Sequence, residues 1–202
     1  MSCYTREQIE EVMKAKGYKY FTGGDYDVNI IGVRNSETKN KVTNKFDDCL
    51  TLSYKIDGEW QFHCFPCTTD PGTHWVENVL NKNGVAILKP GQYRGSHKLR
   101  LHAGKYLALG QQKPVKVYRD NNRDDKYDLL EENVHEGIYG INIHRATSRA
   151  GGKSTQVDKW SAGCQVIADN DDWHEFLDIC QIAREKWGNS FTYTLIDSSD
   201  IS

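Results

Sequence analysis

The chain has no apolar run approaching the roughly 20 residues that a membrane-crossing helix needs, and only 38% of its 202 residues are apolar. Charge of one sign is also missing. With a formal net charge of -2 there is no global electrostatic case for nucleic-acid binding. Internal repeats, long linkers and low-complexity segments are absent, which excludes solenoid and array architectures. The opening stretch MSCYTREQIEEVMKAKG lacks the basic start, apolar core and small-residue cleavage site of a secretory signal. Synthesis in the cytoplasm is therefore expected, and a role at a cell wall would need a separate release route. A bacteriophage lysis or virion protein is the simplest arrangement.

Metal and nucleotide motifs are incomplete in the same way. The six cysteines are irregularly spaced, and a chain of this kind is expected to keep them reduced. His63-Cys64-Phe65-Pro66-Cys67 carries a Cys-x-x-Cys with a histidine before it and His74 beyond it, but no second pair follows at finger spacing. Arg119 to Asp128 is rich in aspartate yet lacks the placed glycine and terminal glutamate of a calcium loop. Gly151-Gly152-Lys153-Ser154-Thr155 resembles part of a phosphate-binding loop, but Thr147 stands where its first glycine is required. No metal and no cofactor is expected.

What is present fits a globular protein, with five Trp, eleven Tyr and 27% charged residues. A chain of this length can bury about 70% of its unfolded surface. Thr5 to Gln8 has capping-box spacing, with Ile9, Val12 and Met13 as an apolar stripe behind it. Cys49 to Ile56 and Glu59 to Phe65 flank Asp57-Gly58, the strongest hairpin signal in the chain. Strands are also expected at Asn29 to Val33, Val85 to Leu88, Val115 to Tyr118, Ile138 to Ile143 and Phe191 to Ile196. A helix capped by Asp171 or Asp172 is expected to carry Trp173, Phe176, Leu177, Cys180 and Ala183 on its core face.

Gly140 to Val166, GINIHRATSRAGGKSTQVDKWSAGCQV, is the stretch richest in chemistry. Two apolar runs bracket a polar loop, with His144 ending the first and Cys164 opening the second. If both runs are strands of one sheet, the histidine can raise the thiolate fraction of a cysteine whose ordinary pKa is near 8.5. The small-residue turn Ser161-Ala162-Gly163-Cys164 lets the amides of Gly163 and Cys164 approach an oxyanion. Buried packing is the alternative for both side chains, since free cysteine behaves as a small core hydrophobe.

This stretch resembles the active-site motif of the L,D-transpeptidase catalytic domain. The family reads histidine, a loop of somewhat under twenty residues, then Ser/Thr-His-Gly-Cys. The resemblance implies a mainly β, L,D-transpeptidase-like β-sandwich with peripheral helices, a lead-in over residues 1–27 and a single domain over 28–202. It implies cysteine-dependent acyl transfer or hydrolysis on peptidoglycan stem peptides. Cys164 would be the nucleophile and His144 the base, with the carbonyl of Arg145 holding the imidazole, Gly163 and Cys164 lining the oxyanion hole and Ser161 matching the family's Ser/Thr. Tyr93, Arg94, His102, Tyr106 and Trp160 are the expected substrate-side residues, and a cell-wall peptide the expected partner. Ala162 stands where the family has its second histidine, and Gln165 where it has Ile or Val. Those two departures motivate the alternative, a non-catalytic wall-binding or phage structural domain.

Overall fold

A computed structural model describes residues 4–201, so Cys3, one of the six cysteines expected to be reduced, lies outside the described residues. Eleven strands and three α-helices follow one another along the described residues as α1 (Arg6–Ala15), β1 (Asn29–Arg34), β2 (Asp48–Ile56), β3 (Glu59–Thr68), α2 (Thr73–Glu77), β4 (Val85–Leu88), β5 (Gly91–His102), β6 (Tyr106–Gln111), β7 (Val115–Asp120), β8 (Val134–Gly137), β9 (Ile143–Arg145), β10 (Gln165–Ile167), α3 (Asn170–Trp187) and β11 (Phe191–Asp197).

The expected sandwich is corrected to a closed barrel. Its strand order is β1-β11-β5-β6-β9-β10-β3-β2, and β4-β7-β8 form a separate three-stranded sheet. Two pairings distant in sequence close the ring. The last strand, β11, inserts parallel to β1, with Ile30 opposite Tyr193 and Val33 opposite Ile196, and pairs antiparallel with β5 on its other side. The three-residue strands β9 and β10 then bridge β6 to β3. Closure leaves no free edge in this sheet.

Local signals account for the hairpin and the helices. Asp57 (φ 51°) and Gly58 (φ 82°) both adopt left-handed backbone, as a two-residue hairpin turn requires, and β2 and β3 pair from Ile56 opposite Glu59 to Asp48 opposite Cys67. The Thr5 side chain accepts from the Gln8 amide, and the Gln8 side chain accepts from the Thr5 amide. Behind this box, Ile9, Val12 and Met13 are buried with Ile31, Val33, Cys49 and Ile196. Helix α3 starts earlier than expected, because Asp169 caps it by accepting from the Asp171 amide. Its Trp173, Phe176, Ile179, Cys180 and Ala183 join Leu50, Leu52, Phe65, Leu109, Ile143 and Tyr193 in the main core.

The cysteines also depart from expectation. Cys49 and Cys64, on neighbouring strands, form a disulfide. Cys64 and Cys67 therefore do not act as a pair. Their odd spacing puts them on opposite faces of β3, and Cys67 is buried in the main core. Among the described residues, no group of three or more His, Cys, Asp or Glu is arranged to hold a metal ion.

A charged cluster lies buried where β1, β2 and the end of β3 meet. The Arg34 guanidinium pairs with Asp70 at 2.9 Å and donates to the Thr69 hydroxyl and carbonyl. Asp48 accepts from the Thr69 amide (2.6 Å), the Thr69 hydroxyl (2.8 Å) and the Asn35 amide (2.8 Å). Burial, then the charge of Asp70, pushes the Asp48 carboxyl up to about 7. Burial raises Asp70 as well, against the pull of Arg34.

Candidate functional site

The Gly140 to Val166 stretch folds around a parallel pairing of β9 with β10, with Ile143 opposite Gln165 and His144 opposite Val166. Cys164 therefore lies just before β10, and Val166 is the residue opposite His144. The expected strand over Ile138 to Ile143 forms only from Ile143 onward. Before that point side chains satisfy the backbone instead. Gln111 Oε1 accepts from the Tyr139 and Ile141 amides, Gln111 Nε2 donates to the Gly137 carbonyl, and His97 Nε2 donates to the Ile141 carbonyl.

The cysteine turn is folded inward on itself. Ser161 Oγ donates to the Cys164 carbonyl at 2.8 Å and accepts the Gly163 amide at 3.1 Å. The Gly163 N–H is thus occupied within the turn. Gly163 is required there, since φ is +131° and a Cβ would come within 2.2 Å of the Ala86 carbonyl oxygen. Cys164 Sγ donates to the Gly140 carbonyl at 3.2 Å. Burial pushes this thiol up to about 11, opposed by a hydrogen bond from the Asn142 backbone.

The hydrogen bonds of His144 go to other groups. Its Nδ1 donates to the Arg145 carbonyl at 2.8 Å, and the Tyr106 hydroxyl lies 3.4 Å from the same nitrogen. The His102 ring stacks on it at 4.4 Å between centroids. The Arg145 guanidinium covers the Tyr106 ring at 4.3 Å, and Asn142 Nδ2 donates to His102 Nδ1 at 3.3 Å. Burial, then the neighbouring His102, lowers the His144 imidazole to about 4.

These contacts overturn the acyl-transfer reading. A nucleophilic cysteine needs a base within hydrogen-bond reach and an environment that favours thiolate. Cys164 Sγ donates to the Gly140 carbonyl, and among the described residues no hydrogen bond joins it to His144. Burial raises the thiol and lowers the imidazole, which disfavours a thiolate–imidazolium pair. The L,D-transpeptidase resemblance, the cysteine-enzyme assignment and the hydrolase or transferase activity all fall with that pair.

The expected substrate-side residues scatter. His102 and Tyr106 lie beside His144. The Tyr93 hydroxyl donates to the Lys89 carbonyl at 2.5 Å and lies 3.2 Å from that of Lys116, tying β5 to the small sheet. Trp160 lines a shallow hollow with Thr73, His74 and Glu77. Arg94 lines a pocket with Phe21 and Trp187.

The cleft beside the cysteine turn has other walls. Trp75, Leu80, Ala86, Arg119, Tyr139 and Ala162 line an open cavity of about 330 Å³, with Ile138 at its rim. Leu80 is 74% exposed and Ile138 57% exposed, which gives the cleft an unpartnered apolar wall. The Arg119 guanidinium donates to the Gly84 carbonyl at 3.0 Å and lies 4.7 Å from the Tyr139 ring. Among the described residues no carboxylate pairs with it. Nothing local in the sequence marks Arg119 or Tyr139, because β7 and the segment after β8 meet only in the fold. Compared with protein-family models, curated proteins and solved structures, the chain matches none. Among the described residues, no helix is long and apolar enough to cross a membrane.

Proposed function

We propose that the protein is a non-catalytic binding domain for peptides of the cell wall, with the cleft between Trp75, Arg119, Tyr139 and Ala162 as its binding surface. The observation that carries this reading is Arg119, a guanidinium held in place by the Gly84 carbonyl and the Tyr139 ring with no carboxylate of its own among the described residues. A guanidinium so placed suits a ligand carboxylate, which arginine can hold through two parallel hydrogen bonds. Leu80 and Ile138 supply apolar contact beside it. Stem peptides combine free carboxylates with short aliphatic side chains, which is the chemistry this wall accommodates.

Calorimetric titration of the full chain with a synthetic stem tetrapeptide tests the reading. Arg119→Ala is expected to weaken binding roughly 10- to 100-fold, the loss typical of a charge-assisted hydrogen bond. Cys164→Ala is expected to bind as the parent does and to leave the peptide equally intact. Equal affinity in Arg119→Ala and the parent would sink the proposal.

A further inference from the structure

We propose that the pocket formed by Phe21, Tyr26, Arg94, Lys113 and Trp187 is a second binding site, for a saccharide bearing a carboxylate. It shares no lining residue with the Arg119 cleft and has a cavity of about 330 Å³. The saccharide class rests on the wall-binding reading above. The site itself rests on a different set of residues.

Its floor is an aromatic platform fixed in place. Trp187 is 53% exposed, yet its indole is not free to turn, because Nε1 donates to the Asp25 carbonyl at 2.9 Å. The adjoining Cζ2–Cη2 edge of the ring packs on Gly23 and Gly24, where a Cβ at either position would sit only 3.3 Å from the ring. The indole is thus held along one edge by the Gly23–Asp25 backbone. An immobilised flat apolar surface suits the C–H face of a pyranose and loses little side-chain entropy on binding.

Its rim is basic. The Arg94 guanidinium lies 5.2 Å from the Phe21 ring, and Lys113 lines the same cavity. Neither forms a salt bridge among the described residues. The carboxylate in the lining, Asp27, already accepts the Gly23 amide at 2.9 Å. Lys186 adds a third cation 5.7 Å from the Tyr26 ring. Two such cations beside one fixed aromatic face match a ring compound carrying a single negative group. A nucleic acid asks for more, namely a basic stripe and successive stacking platforms, and the chain carries a net charge of -2.

The test follows the Trp187 indole resonance of the full chain by 1H–15N NMR. It is titrated with N-acetylmuramic acid, with N-acetylglucosamine, which has the same ring without the lactyl carboxylate, and with adenosine monophosphate. N-acetylmuramic acid is expected to shift the resonance at a midpoint roughly tenfold or more below that of N-acetylglucosamine, the margin of a charge-assisted contact. The double variant Arg94→Gln, Lys113→Gln is expected to erase that difference, and Trp187→Ala, followed through the Gly24 amide, to weaken both sugars. Both basic side chains are exposed, so the double variant decides the matter even if Trp187→Ala fails to fold. Equal midpoints for the two sugars, no shift with either, or tighter binding of adenosine monophosphate would overturn the proposal. Adding the stem tetrapeptide to the same sample reports on the Arg119 cleft separately, so failure at one site is distinguishable from failure at the other.

Discussion

Two polar clusters are buried at different places in the same barrel, and they solve burial in different ways. Around Arg34, one cation is set among buried carboxylates, with Asp70 at 2.9 Å and Asp48 held by three hydrogen bonds, and burial raises both carboxyls. Around His144, the ionisable groups are made neutral, since burial lowers the imidazole to about 4 and raises the Cys164 thiol to about 11. The contrast teaches where reactivity is absent. A thiol and an imidazole in one stretch of sequence do not make a catalytic pair when the thiol donates to a backbone carbonyl and burial disfavours the charges that catalysis would use.

The largest effect is expected from breaking the charged cluster. Arg34→Met leaves Asp48 and Asp70 buried without their cation, and should cost about 3–5 kcal/mol, read from the urea midpoint near pH 7. A loss below about 1 kcal/mol would mean that the carboxylates are already protonated there.

The pH dependence separates the two clusters by sign. Asp48 is raised to about 7, so between about pH 4 and 7 the folded state keeps a proton that the unfolded chain has released. Its contribution falls as pH rises through that window. His97 and His144 are both lowered to about 4, so between about pH 4 and 6.5 the unfolded chain binds protons that the folded state does not. Their contribution rises with pH. Denaturation from about pH 4.5 to 8 should therefore show Asp48→Asn losing stability more steeply toward acid than the parent, and His144→Gln less steeply. Each change should be on the order of 1–3 kcal/mol. The same slope in all three proteins would erase the distinction between the clusters.

A smaller effect is expected at the neutral cluster. With the Cys164 thiol at about 11 against an ordinary value near 8.5, its thiolate fraction at neutral pH is about two orders of magnitude lower. Pulsed alkylation of the native protein with peptide-level mass spectrometry should label Cys164 correspondingly slowly. Labelling at the rate of an ordinary free thiol would show that the sulfur is not held as described. Smallest of all is Tyr106→Phe. The 3.4 Å separation from His144 makes a weak hydrogen bond, and the variant should lose less than about 1 kcal/mol in thermal unfolding.

Legibility in the sequence followed the range of each interaction. The Thr5 box, the Asp57-Gly58 turn and the apolar face of α3 were readable because each depends on residues a few positions apart. Strands β6 and β8 each pair with the strand before them, β5 and β7, yet no two-residue turn signal like Asp57-Gly58 announces either pairing. Ile138 to Asn142 has much of a strand's apolar content, yet its backbone bonds go to Gln111 and His97, which no local pattern announces. The Gly140 to Val166 motif was readable as residue types in order. The hydrogen-bond partners were not, since the register that puts Val166 opposite His144 and the bond of Cys164 to Gly140 depend on the fold.

The sequence by itself determined a mainly β chain with a capped first helix, one strong hairpin and a core-facing third helix, because hydrophobic period and turn chemistry act locally. Only the tertiary structure decided that the sheet closes into a barrel, that Cys49 meets Cys64, and that Arg119 and Trp187 stand at open pockets. Each of those depends on segments far apart in the chain meeting in space. So does the fate of Cys164 and His144, for their chemistry is set by the carbonyls they touch and the water they lose.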